Sequence, residues 1–80
     1  MTSPRVQLLT RPGCHLCEDA RAVLDEVAGS RGIAWEDVDT SERPELAEAY
    51  AEELPVLMID GVQRDFWRID PARLARLLDS

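Results

Sequence analysis

The spacing of apolar residues changes repeatedly along this chain, and each change marks an element. Residues 5–10, Arg-Val-Gln-Leu-Leu-Thr, form a short β-prone segment that stops where Pro12 and Gly13 punctuate the backbone. From Cys14 the period becomes helical, because Leu16, Ala20, Val23, Leu24 and Val27 fall on one face of a 3.6-residue repeat. Gly29 and Gly32 then offer a left-handed stop. Residues 33–40 predict a second strand whose acidic residues suit an exposed sheet edge. Thr40 or Ser41 is placed to cap a second helix running to residue 52, with Pro44 in its first turn and Leu46 and Tyr50 on its apolar side. Residues 54–59 are the most apolar stretch and read as a third strand. Asp60-Gly61 is a two-residue hairpin signal joining it, antiparallel, to a fourth strand over 62–69. Asp70 caps and Pro71 opens a last helix, in which Leu74, Leu77 and Leu78 repeat at three and four.

The order is therefore βαβαββα, read as one α/β domain over residues 1–80 with no linker or repeat. A right-handed crossover makes the first two strands parallel and puts the first strand-to-helix turn at a sheet end, where ligand chemistry gathers. Composition agrees with a folded chain: 45% of residues are hydrophobic and 31% charged. The cations are all Arg, and nine of them against sixteen acids leave a net charge of −7, which repels a phosphate backbone and argues against nucleic acid as a partner. The longest strongly apolar run, 56–59, is far short of the roughly 20 residues a membrane span needs. Residues 1–5 and the few apolar positions after them are too short for a signal-peptide core, so a cytoplasmic location is expected.

Cys14 and Cys17 are the only cysteines, and they sit at that first turn. A bridge across so short a window constrains almost none of the unfolded chain, so a purely structural disulfide explains them poorly. A three-residue helical step places Cα atoms about 5 Å apart. A disulfide accepts roughly 4.4 to 6.8 Å, so the pair can close and open without large backbone movement. Cys14, beside the unpaired amides of a helix N-terminus, is the nucleophile candidate; Cys17, one turn deeper beside Leu16 and Ala20, is the resolving candidate. Terminal amides, Arg11 and a protonated His15 favour the Cys14 thiolate, whereas Glu18 and Asp19 oppose it. Two other readings of the pair stand beside this one: inert buried thiols, and ligands of a metal. The second needs a dimer or an outside ligand, since the chain adds only His15. For Trp35, Tyr50, Phe66 and Trp67 packing is the simpler role, with Trp67 left open to ligand contact.

Thr10-Arg11-Pro12-Gly13-Cys14-His15-Leu16-Cys17 after the first strand, Asp39 ending the second, Leu54-Pro55 opening the third and Asp60-Gly61 in the hairpin together resemble the small glutaredoxins and their glutaredoxin-like relatives. The likeness spans essentially the whole chain. It implies a thioredoxin-like, three-layer domain of glutaredoxin type with a four-stranded mixed sheet. It also implies that Cys14 is the nucleophile, Cys17 the resolving thiol and Pro55 a cis-proline facing them, with the Leu54 backbone free to pair with an extended substrate. Typical glutaredoxins carry Pro-Tyr between the cysteines and a Gly-Gly pair before the last helix, where glutathione docks. Here His15-Leu16 and Trp67-Arg68-Ile69-Asp70 stand at those places. Asp70 matches an acidic position that would meet the glutathione amino group, beside the bulk of Trp67.

The expectation is a monomeric thiol-disulfide oxidoreductase with no bound cofactor, acting on protein or glutathione mixed disulfides and re-reduced by glutathione or a reductase. Arg11, Leu54, Pro55, Trp67 and Asp70 would contact substrate, and Arg11 and His15 would tune the thiol. Neither nucleic acid nor a membrane is expected as a partner. The alternative, from a different class, is a soft-metal or iron-sulfur module that uses the same pair at a dimer interface.

Overall fold

Strand β1 (Val6–Thr10) carries apolar residues on both faces, which fits the centre of a sheet and not an edge. In the computed structural model, which describes residues 4–79, β1 lies between parallel β2 (Trp35–Asp39) and antiparallel β3 (Val56–Ile59). Strand β4 (Val62–Phe66) pairs antiparallel with β3, so the sheet order is β2-β1-β3-β4. Residues 1–3, with which the leader reading begins, lie outside the described residues.

Because successive side chains on a strand point to opposite faces, β1 and β3 feed two layers at once. Val6, Leu8 and Leu57 pack with Ala20, Leu24 and Val27 of helix α1 (His15–Val27) and with Leu74 of helix α3 (Pro71–Asp79). Leu9, Leu54 and Val56 form a second cluster on the other face, covered by Leu46 and Tyr50 of helix α2 (Pro44–Tyr50). The result is a three-layer α/β thioredoxin-like domain in the order βαβαββα, with short 3-10 turns at Gly29–Arg31 and Thr40–Glu42. None of the helices among the described residues is long and apolar enough to cross a membrane.

Several sequence expectations hold locally. Acidic β2 is an edge strand. Asp60 and Gly61 take φ of 53° and 80°, the pair of positive values a type I′ hairpin requires. Asp70 caps α3 by accepting the Ala72 N–H at 2.9 Å.

Others are corrected. Neither Thr40 nor Ser41 caps α2: Thr40 is buried and donates its Oγ1–H to the Thr10 carbonyl at 2.8 Å, while the Asp39 carboxylate accepts the Ser41 N–H at 2.9 Å. Helix α2 ends at Tyr50, short of residue 52. Strand β4 ends at Phe66, not 69, because Trp67 turns to φ 61° and aims its N–H at the Pro55 carbonyl at 2.9 Å. Gly32, with φ 65°, provides the left-handed stop, whereas Gly29 lies inside the 3-10 turn.

Candidate functional site

The turn from β1 into α1 is built around Gly13, whose φ of 72° is a conformation that side-chain-bearing residues rarely adopt. It delivers Cys14 in an extended conformation as the N-cap of α1, and the Cys14 sulfur accepts the Cys17 N–H at 3.3 Å. A sulfur thus fills the role usually taken by a Ser or Asp oxygen, satisfying an amide that the first helical turn leaves without a partner. Cys14 is half-buried and Cys17 fully buried, and both thiols are free.

Their acidities are pushed apart. Burial raises the Cys14 thiol, but hydrogen bonds from the Cys17 side chain and backbone, with the hydrogen bond and charge of Arg11, outweigh it and bring the thiol below its ordinary value. Burial drives Cys17 the other way, up to about 11, and its hydrogen bond to Cys14 and the charge there add to the rise. A backbone hydrogen bond from Arg11 and the charge of Arg21 act against it. His15 is almost wholly in solvent and faces Glu18 at 4.0 Å, so the cation acting on Cys14 is Arg11.

Behind the turn lies a polar clamp that sequence reasoning missed. Thr10, fully buried just before Arg11, donates its hydroxyl to Asp37 Oδ1 at 2.6 Å, and Arg21 Nε–H donates to Asp37 Oδ2 at 2.6 Å. Arg21 stands one turn after Cys17 on α1, so the clamp ties the cysteine helix to β1 and β2.

In front of the turn runs a groove of about 620 Å³ whose walls include Arg11, Leu16, Leu54, Phe66, Trp67 and Arg68. The Leu54-Pro55 bond is cis, and among the described residues neither the N–H nor the C=O of Leu54 has a hydrogen-bond partner. The structure therefore brings Arg11, Leu54 and Trp67 together in one groove that reaches the cysteine turn through Arg11 and Leu16, while Cys14 and Pro55 are not among its walls. Asp70 lines no part of this groove; its carboxylate is occupied in capping α3. Phe66, expected to pack, is instead exposed with its ring edge-on to Trp67 at 5.0 Å, while Trp35 and Tyr50 do pack against the two core clusters. Arg68 is a further wall residue that no motif announced. Among the described residues no three His, Cys, Asp or Glu side chains gather to hold a metal ion, so a metal on the cysteine pair would need ligands from outside this chain.

Comparison with known proteins gives the family and the fold. The uncharacterized protein Rv0508 of Mycobacterium tuberculosis is 32% identical over 79 residues, covering 92% of this chain and 81% of its own. The X-ray structure of protein XcR50 from X. campestris is similar with a TM-score of 0.75 and 33% identity, covering 92% of this chain and 95% of that one. The NTD_N/C domain of the alkylhydroperoxide reductase AhpF from Enterococcus faecalis is similar with a TM-score of 0.77 and 25% identity, covering 98% of this chain and 39% of that one. Residues 5–79, from the start of β1 to the end of α3, match the description of a glutaredoxin-like domain (DUF836), and the chain belongs to that family.

Proposed function

We propose that the protein is a thiol-disulfide oxidoreductase working through Cys14 and Cys17. The observation that carries this is the Cys14 sulfur serving as the α1 N-cap acceptor while Cys17 lies fully buried one turn away, with the two thiol acidities driven in opposite directions. Likeness to a domain of an alkylhydroperoxide reductase supports a redox role.

The Cys14 thiolate attacks one sulfur of a substrate disulfide, forming a mixed disulfide and expelling the other sulfur as a thiolate that takes a proton from water. Cys14 has then lost its negative charge, and with it a hydrogen-bonding and a Coulomb contribution that had held the Cys17 proton in place. Cys17 becomes more acidic at the moment it is needed. It releases its proton to solvent and attacks the Cys14 sulfur, and the second substrate thiolate departs. The substrate gains two electrons and the protein is left with a Cys14–Cys17 disulfide. Glutathione or a protein reductase would return those electrons, with no bound cofactor, and a cytoplasmic setting that keeps thiols reduced suits such a cycle.

The test is intact mass after mild oxidation, together with turnover by single-cysteine variants. The expected results are loss of two hydrogens by the monomer, no turnover by Cys14→Ser, and a trapped covalent complex with Cys17→Ser. Oxidation that yields only intermolecular dimers, or a Cys14→Ser variant as active as the parent, would overturn the proposal.

A further inference from the structure

Trp67 has two properties that rarely occur together. Its backbone sits at φ 61°, a conformation disfavoured for any residue with a Cβ and an outlier for a bulky one, yet 54% of its surface is exposed, so core packing does not compensate. Three hydrogen bonds hold it there: its N–H to the carbonyls of Pro55 at 2.9 Å and Glu53 at 3.3 Å, and its indole Nε1–H to the Glu52 carbonyl at 2.7 Å. With its N–H group committed and the edge of Phe66 against it, the ring is fixed as a shelf along the groove. Backbone strain that surrounding bonds enforce at an exposed site points to function.

What lies on the shelf follows from the groove's continuity with the cysteine turn through Arg11 and Leu16. A molecule joined to Cys14 by a disulfide can lay its chain along these walls, which Arg11 and Leu16 carry up to the cysteine turn. The unpaired N–H and C=O of Leu54 suit a chain in extended form. Arg11 and Arg68 are matched on the walls by Glu52 and Asp65, so no net charge selects the occupant, and the aromatic rings do. Resting on the Cys14–Cys17 reading above, we infer that Trp67 is the specificity-determining residue of the groove, and that it selects extended polypeptide disulfides with a large apolar side chain next to the reacting cysteine. Glutathione, a γ-Glu-Cys-Gly tripeptide with no such side chain, gains nothing from the shelf.

The experiment compares kcat/KM for three disulfides, namely a short peptide with Phe beside its cysteine, the same peptide with Gly there, and glutathione disulfide. The enzymes are the parent, Trp67→Gly and Trp67→Phe. The parent should favour the Phe peptide over the Gly peptide by about tenfold, the size of one aromatic pair with its buried area. Trp67→Gly should lose that preference between the two peptides, while Trp67→Phe should keep most of it. In the complex trapped by Cys17→Ser, the Phe peptide should alter Trp67 fluorescence and the Gly peptide should not. A parent that treats the two peptides alike within about twofold, or a folded Trp67→Gly that still discriminates, would overturn the inference. If Trp67→Gly does not fold, the parent's preference and the trapped-complex fluorescence still decide. A parent that reduces none of the three disulfides would instead sink the oxidoreductase reading itself, so the two failures are distinguishable.

Discussion

The clamp behind the cysteine turn gives a perturbation whose size follows from its geometry. Asp37 holds the Thr10 hydroxyl with one oxygen and the Arg21 guanidinium with the other, each at 2.6 Å. In Asp37→Ala the buried hydroxyl keeps only the Val38 carbonyl, at 3.5 Å the limit of a hydrogen bond. A buried donor stripped of its partner costs about 1–3 kcal/mol. The lost ion pair, with both side chains about a third exposed, adds about 0.2–1 kcal/mol. A total near 2 kcal/mol should lower Tm by about 8–16 °C in a domain of this size. Asp37→Asn retains an acceptor for Thr10 and should lose less than half as much. Urea and thermal unfolding in excess reductant measure these values, and a double-mutant cycle with Thr10→Val isolates the hydrogen bond. Coupling of about 1 kcal/mol is expected between Thr10 and Asp37. Strictly additive single variants, or an Asp37→Ala within about 0.3 kcal/mol of the parent, would refute the reasoning.

A Cys17 thiol at about 11 exposes about one thiolate in ten thousand at pH 7, so a short iodoacetamide pulse should label Cys14 and spare Cys17; equal labelling in a peptide map would reverse the roles. Stability should also bend with pH. Between the lowered Cys14 value and that of an ordinary thiol the unfolded chain binds more protons, so stability rises with pH. From the ordinary value up to about 11 the native state holds the Cys17 proton that the unfolded chain has released, so stability falls. Urea midpoints across this range should show the alkaline fall in the reduced parent and lose it in Cys17→Ala; a fall that persists unchanged in the variant would show that it has another source.

Most of the fold was legible because it is written in short-range periods. Ala20, Val23, Leu24 and Val27 mark the buried side of α1, and Asp60-Gly61 marks the β3–β4 hairpin, by spacing alone, whereas Leu16 of the same stripe lies in the groove wall. The overrun of β4 has a different origin. Trp67 and Ile69 look β-prone, and Ile69 is in fact buried in the main core, but the chain has already left the sheet to reach Pro55. Pattern reading takes a positive φ from glycine, and nothing in a tryptophan announces one. The same blindness assigned Phe66 to packing, because a large apolar residue defaults to the interior until an edge strand turns it outward.

The candidate site divides along the same line. Cys14 and Cys17 are three residues apart, so helix geometry alone relates them, and Pro12-Gly13 locates the turn. The clamp joins positions 27 and 16 apart, and it exists only because β1 and β2 pair with Leu8 opposite Asp37 and Thr10 opposite Asp39. In that register Asp37 is the diagonal neighbour of Thr10 on the face that carries Leu8 and α1. A slip of one residue would turn Asp37 to the other face and leave the Thr10 hydroxyl buried beneath α1 without it. Parallel register is set by how the α1 crossover packs on the sheet, through contacts spread over Ala20, Leu24, Val27 and Leu8, and no short stretch of sequence contains it. The thiol chemistry can therefore be read from eight consecutive residues, Thr10 to Cys17, while the part that holds their turn in place emerges only once the whole core has set the strands against each other.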